Sequence, residues 1–137
     1  IAAEARWKLA EIYFSRKDFV NAAAYYQKIF SDVKSPSVFK EKALLGLFHC
    51  DYETKEMGRA RKRFEAAKEA VDQSRYEPDI RYLLAALLIE DKNYALALDH
   101  LDAVLASPKK SVALEEKAIL KKSEVLSLVG QKESAVS

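Results

Sequence analysis

Cysteine, glycine, proline and threonine are all scarce in this chain, and each scarcity removes something. Cys50 is the single cysteine among 137 residues, so no internal disulfide can form. One thiol suits the cytoplasm, and equally an oxidising compartment whose proteins avoid cysteine. The three glycines, Gly46, Gly58 and Gly130, stand far apart, which excludes a glycine-rich loop for cradling phosphate. Thr54 is the only threonine and apolar residues rarely alternate at period two, so a strand-based fold is excluded. No apolar run approaches the roughly 18 residues that span a bilayer, the longest being Tyr82 to Ile89, so a soluble chain without membrane insertion is expected. A net charge of +2 is too near neutral to predict nucleic-acid binding by the whole chain.

What is present points to helices. Half of the residues are hydrophobic and about a third charged, the mixture of amphipathic helices and well away from disorder. The length fits one domain, residues 1–137, able to bury roughly two thirds of its unfolded surface without metal or disulfide. The chain opens on Ile1 already in helical pattern and closes a few residues into another apparent helix, which reads as a piece of a longer protein.

Ala22, Ala60, Ala97 and Ala135 recur 38, 37 and 38 residues apart, each in a similarly patterned helix. The spacing predicts one supersecondary unit repeated over roughly 2–34, 36–75, 78–107 and 109–137. In the first unit Leu9, Ala10 and Tyr13 mark one helix and Phe19, Ala22, Tyr26 and Ile29 a second, with Arg16 to Asp18 turning between them. The second unit pairs Leu44 to Phe48 with Met57 to Val71 across a longer turn, Asp51 to Glu56. The third pairs Ile80 to Leu88 with Tyr94 to Leu105. The fourth places Ala118 to Val129 in one helix, turns at Gly130 and begins its partner with Ala135. Pro36, Pro78 and Pro108 fall between units, where proline opens a helix, with Ser35 and Ser107 as candidate caps.

The string Leu9-Ala10-x-x-Tyr13, then Lys17-Asp18-Phe19-x-x-Ala22-x-x-x-Tyr26, resembles the tetratricopeptide repeat (TPR). That resemblance implies an all-α, right-handed solenoid of antiparallel helix pairs, here about three and a half repeats and seven to eight helices. Small residues would sit where paired helices cross: Ala10, Gly46, Ala85 and Ser123 on first helices, and Ala22, Ala60, Ala97 and Ala135 on second helices. The family unit is 34 residues, whereas these are longer, and Trp7 lies one residue later than the family's tryptophan. A generic helical-hairpin solenoid is the competing reading.

The resemblance further implies that first helices line a concave groove. The residues not spent on packing would be Glu4, Trp7, Glu11 and Phe14, then Ala43, Leu47 and Cys50, then Tyr82, Ala86, Ile89 and Glu90, then Leu120 and Glu124. An aromatic and acidic groove suits a protein or peptide with hydrophobic anchors and basic residues, with Trp7, Phe14 and Tyr82 as contacts. One TPR subclass clamps carboxylate tails of chaperones with lysines and asparagines. The matching positions here carry Trp7, Glu11, Leu44, Asp79 and Leu83, which disfavours an acidic terminus. The likeness of Ala3-Glu4-Ala5 and Tyr25-Tyr26-Gln27-Lys28 to bacterial members serving cell-envelope assembly implies a periplasmic setting over a cytoplasmic one.

The densest charge cluster, Arg59, Arg61, Lys62 and Arg63, reads as a solvated face balanced by Glu56, Glu65 and Glu69, with a site for phosphate or an acidic partner as the competing reading. His49 and His100 are far apart with no partner motif, and no histidine or cysteine pairing has metal-ligand spacing. No catalytic, metal or cofactor residue is therefore assigned. The expected function is a non-enzymatic scaffold for protein–protein interaction. Two others stay open: an assembly segment that self-associates through the uncapped apolar end around Leu126, Val129 and Ala135, and an accessory domain of a larger enzyme.

Overall fold

The structure, a computed structural model, describes residues 2–136, with side chains described through residue 131. Among the described residues there are eight helices and no strand: α1 (Ala3–Ser15), α2 (Phe19–Ser31), α3 (Ser37–Glu53), α4 (Met57–Ala66), α5 (Lys68–Gln73), α6 (Glu77–Glu90), α7 (Tyr94–Ala106) and α8 (Val112–Val136). They fall into two compact units, Ile1–Tyr76 and Glu77–Ser137.

In the first unit α1 packs on α2, α2 on α3 and α3 on α4. Ala10, Ala22, Tyr26, Ile29, Ala43, Leu47 and Cys50 form its centre, surrounded by half-buried aromatics. Each large apolar side chain so buried contributes about 1.5–3 kcal/mol against remaining exposed. In the second unit α6 packs on α7 and α8. Its centre includes Ile80, Leu84, Leu88, Ala97, Leu101, Val104, Ala118 and Val125.

Three of the interhelical turns share one backbone. Lys17, Lys55 and Lys92 all adopt left-handed φ, at 63°, 57° and 62°. In each turn the lysine N–H donates to the carbonyl three residues back, in Phe14, Tyr52 and Ile89. The next N–H, of Asp18, Glu56 or Asn93, donates to the carbonyl five back, in Tyr13, Asp51 or Leu88, at 2.9 Å each time. This paired closure is the Schellman motif, which satisfies carbonyls that a helix end leaves open. The second turn is thus no longer than the others, contrary to expectation, because α3 carries Asp51 to Glu53 within its last turn.

The shared turns also fix the register. Counting back from Lys17, Lys55 and Lys92 aligns Ala10 with Phe48 and Ala85, so Gly46 is not the second hairpin's crossing residue. Gly46 serves α2 instead: a Cβ there would lie 2.6 Å from carbons of the Tyr26 ring. Ala10, Ala22, Ala60, Ala85 and Ala97 are buried. Ser123 is exposed and takes no such role, and the Ala135 side chain lies outside the described residues.

The last expected hairpin is replaced by one 25-residue helix, since α8 runs through Gly130 without positive φ. A single glycine costs a helix only about 1 kcal/mol relative to alanine, too little to end it. The expected Met57 to Val71 helix is instead split at Ala67, with φ −110° and ψ 22°. Caps also differ. Ser111 caps α8 by accepting from the Leu114 N–H at 3.1 Å. Ser107 accepts from the Lys109 N–H within the preceding loop, which also holds Pro108. The buried Ser35 hydroxyl bonds to nothing among the described residues. Pro36 and Pro78 stand at helix starts, as N-cap of α3 and second residue of α6.

Candidate functional site

On α1, Trp7, Glu11 and Phe14 follow a four-three spacing and so share a face. On α3, Lys42, Leu45, Gly46 and His49 do the same. The two faces line one depression of about 350 Å³, to which Tyr26 and Tyr76 also contribute. A cavity of about 410 Å³ lies elsewhere in the first unit, between α2, α3 and α5. Its lining includes Glu41, already paired with Arg75 at 3.3 Å, and it gathers no comparable set of aromatic and titratable groups. Chemistry therefore favours the α1–α3 depression over the slightly larger cavity.

Trp7, Glu11 and Phe14, named as groove residues, all line this depression. Glu4 does not line it; its carboxylate pairs with Lys8 at 3.4 Å in solvent. Leu47 is only 2% exposed and belongs to the core, as do Ala43 and Cys50, so none of them faces a groove. The residues that do so, Lys42, Leu45 and His49, lie 38 positions after Glu4, Trp7 and Glu11. That shift is the spacing of the Lys17 and Lys55 turns. Aligning Gly46 with Ala10 displaces the register by two residues.

In the second unit Tyr82 is half-buried and Glu90 exposed on α6, while Ile89 and Ala86 are buried and offer no free surface. Leu44 and Leu83, matched to clamp positions by resemblance, are buried as well. On α8, Leu120 and Glu124 are exposed.

Electrostatics divide the first unit's polar groups into structural and available ones. The Tyr26 hydroxyl, on a side chain 2% exposed, donates to Glu11 Oε1. Burial, and then this bond to an anion, push the Tyr26 phenol far above its ordinary pKa. Lys42 Nζ lies 4.9 Å from the Trp7 ring centre and 5.7 Å from that of Phe39. The Phe14 ring meets His49 edge-on at 6.2 Å. Burial, reinforced by the charge of Asp51, pushes the Cys50 thiol up to about 12.

The arginine cluster is balanced by a residue other than the three glutamates. Asp51, 1% exposed on α3, accepts from Arg59 Nε at 2.7 Å and Arg63 Nε at 2.8 Å, both on α4. Two of the four cations are thereby spent holding one hairpin together, and Arg61 and Lys62 remain exposed. His100 is buried in the second unit, with Arg81 Nη1 3.3 Å from its Nδ1. Among the described residues no three histidine, cysteine or carboxylate groups converge as metal ligands, and no helix is long and apolar enough to cross a membrane. No protein-family model matches the chain, and no curated protein matches it.

Proposed function

We propose that this chain is a non-enzymatic protein-interaction module of the TPR type, its helical hairpins stacked as a right-handed solenoid. The α1–α3 depression holds an apolar side chain of a partner peptide. The observation that carries this reading is the gathering of Trp7, Phe14 and Leu45, none fully buried, around one depression. Aromatic and aliphatic surface held on rigid helices binds at low entropic cost. The three identical turns at a 37–38-residue period support the repeat reading.

The test is selection from a random peptide library on the whole chain, followed by titration monitored through Trp7, the only tryptophan. Selected peptides are expected to share an apolar residue, shift Trp7 emission, and bind Leu45→Arg at least tenfold more weakly with helicity retained. Peptides that bind L45R equally well and leave Trp7 emission unchanged reject the groove.

A second reading, self-association, is favoured by α8, which exposes Val112, Ile119, Leu120 and Leu126 at 75%, 49%, 72% and 52%. Sedimentation equilibrium is expected to show association that Leu120→Glu abolishes. A monomer at all concentrations removes this reading.

A further inference from the structure

Glu11 is the group in the depression whose charge an apolar anchor leaves unused. Among the described residues it has no ion pair, although Glu4, nearly two turns away on the same helix, is paired with Lys8. The hydrogen bond from Tyr26 takes one of about four acceptor positions on its carboxylate and orients the group from a buried side chain. Trp7, Phe14 and Tyr76 line the same space with rings that are not fully buried, whereas the Tyr26 ring is enclosed. Ring faces carry negative potential, so rings and carboxylate together favour a cation.

The protein already seats one there. Lys42 places its ammonium over Trp7 and Phe39, held by ring faces and by no ion pair among the described residues. From these contacts we infer that the depression receives one arginine of a partner peptide, its guanidinium lying along Trp7 and donating to Glu11. This rests on the groove reading and adds an arginine beside the apolar anchor. Arginine is favoured over lysine because a planar, weakly hydrated guanidinium stacks on a ring while donating in its own plane to a carboxylate. A compact ammonium would duplicate the place that Lys42 holds. A cavity of about 350 Å³ lies at the small end of ligand sites, which fits the apolar anchor and a neighbouring arginine of an extended peptide rather than a helix. Lys42 repels the incoming charge, so it acts as an internal competitor for the Trp7 face.

The experiment uses the whole chain and two tripeptide probes, acetyl-leucyl-arginyl-leucinamide and its citrulline counterpart, which has nearly the same shape and no charge. Both are titrated at low salt by Trp7 fluorescence. The arginine probe is expected to bind about tenfold more tightly than the citrulline probe. Glu11→Gln retains an acceptor for Tyr26 while removing the charge, and is expected to bring the two probes within about twofold, with helicity unchanged. Lys42→Met is expected to tighten the arginine probe alone. Equal binding of both probes to the unaltered chain, or an undiminished arginine preference in E11Q, overturns the arginine assignment and leaves the groove standing. If neither probe perturbs Trp7, the groove falls and the arginine site falls with it.

Discussion

Replacing Gly46 by alanine would put a methyl carbon 2.6 Å from the buried Tyr26 ring, a separation that real contacts do not tolerate. Tyr26 cannot simply swing away, because its hydroxyl is tied to Glu11 and its ring is enclosed. Gly46→Ala is therefore expected to cost about 1–3 kcal/mol of unfolding free energy by urea titration. Tyr26→Leu in the same chain should recover part of that loss, which identifies the clash as the cause. At Asp51 the asymmetry of burial sets the order of two other costs. Arg63→Met leaves a carboxylate buried with one remaining cation and is expected to cost about 3 kcal/mol. Asp51→Asn leaves two partly exposed guanidinium groups that water reaches, and is expected to cost about 1 kcal/mol. If the two costs are equal, or their order is reversed, the buried-carboxylate account fails. The sequence displays small residues and charges but not their partners. Gly46 reads as a helix-crossing residue because hairpin neighbours are nearest along the chain, whereas its contact comes from the helix before.

Lysines in left-handed backbone at all three turns give the hairpins an adjustable element. A side chain with a Cβ pays for φ near +60°, and glycine does not. Lys92→Gly is expected to stabilise the chain by about 0.5–1 kcal/mol and raise Tm by about 3 °C, the gain being partly offset by glycine's freedom when unfolded. A fall in Tm would mean that the lysine side chain makes a stabilising contact at the turn. Gly130 tests the opposite geometry. It lies within α8 with open space where a Cβ would project, so Gly130→Ala is expected to add about 1 kcal/mol of stability and raise helicity by circular dichroism. Loss of helicity would restore the hairpin that periodicity predicts there. Helix existence was legible from three-four spacing because periodicity reports which face is buried. The unbroken α8 and the break at Ala67 were not, since both depend on small backbone preferences that tertiary packing decides.

For the whole chain, the all-helical class follows from pattern alone, whereas the face of α1 that carries Trp7, Glu11 and Phe14 was pointed to only by the resemblance to the tetratricopeptide repeat. The matching face of α3 needed the turn register, which only the backbone supplies. Folding also couples the first unit's centre to alkaline pH. In the folded chain the Cys50 thiol is held protonated up to about 12, while the unfolded thiol ionises near 9.0. Between those values the folded state keeps a proton that the unfolded state has shed, so rising pH favours unfolding by up to about 1.4 kcal/mol per pH unit. Below pH 9 this contribution is fully present. Tyr26, whose phenol is raised by burial and by Glu11, acts with the same sign above its ordinary value of 10.0. Urea midpoints are expected to be insensitive to these two groups from pH 7 to 8.5 and to fall steadily above pH 9. Cys50→Ala should flatten the stretch between pH 9 and 10 while leaving the steeper loss beyond it. An unchanged slope in Cys50→Ala would place the alkaline sensitivity in some other group and remove the thiol from the account.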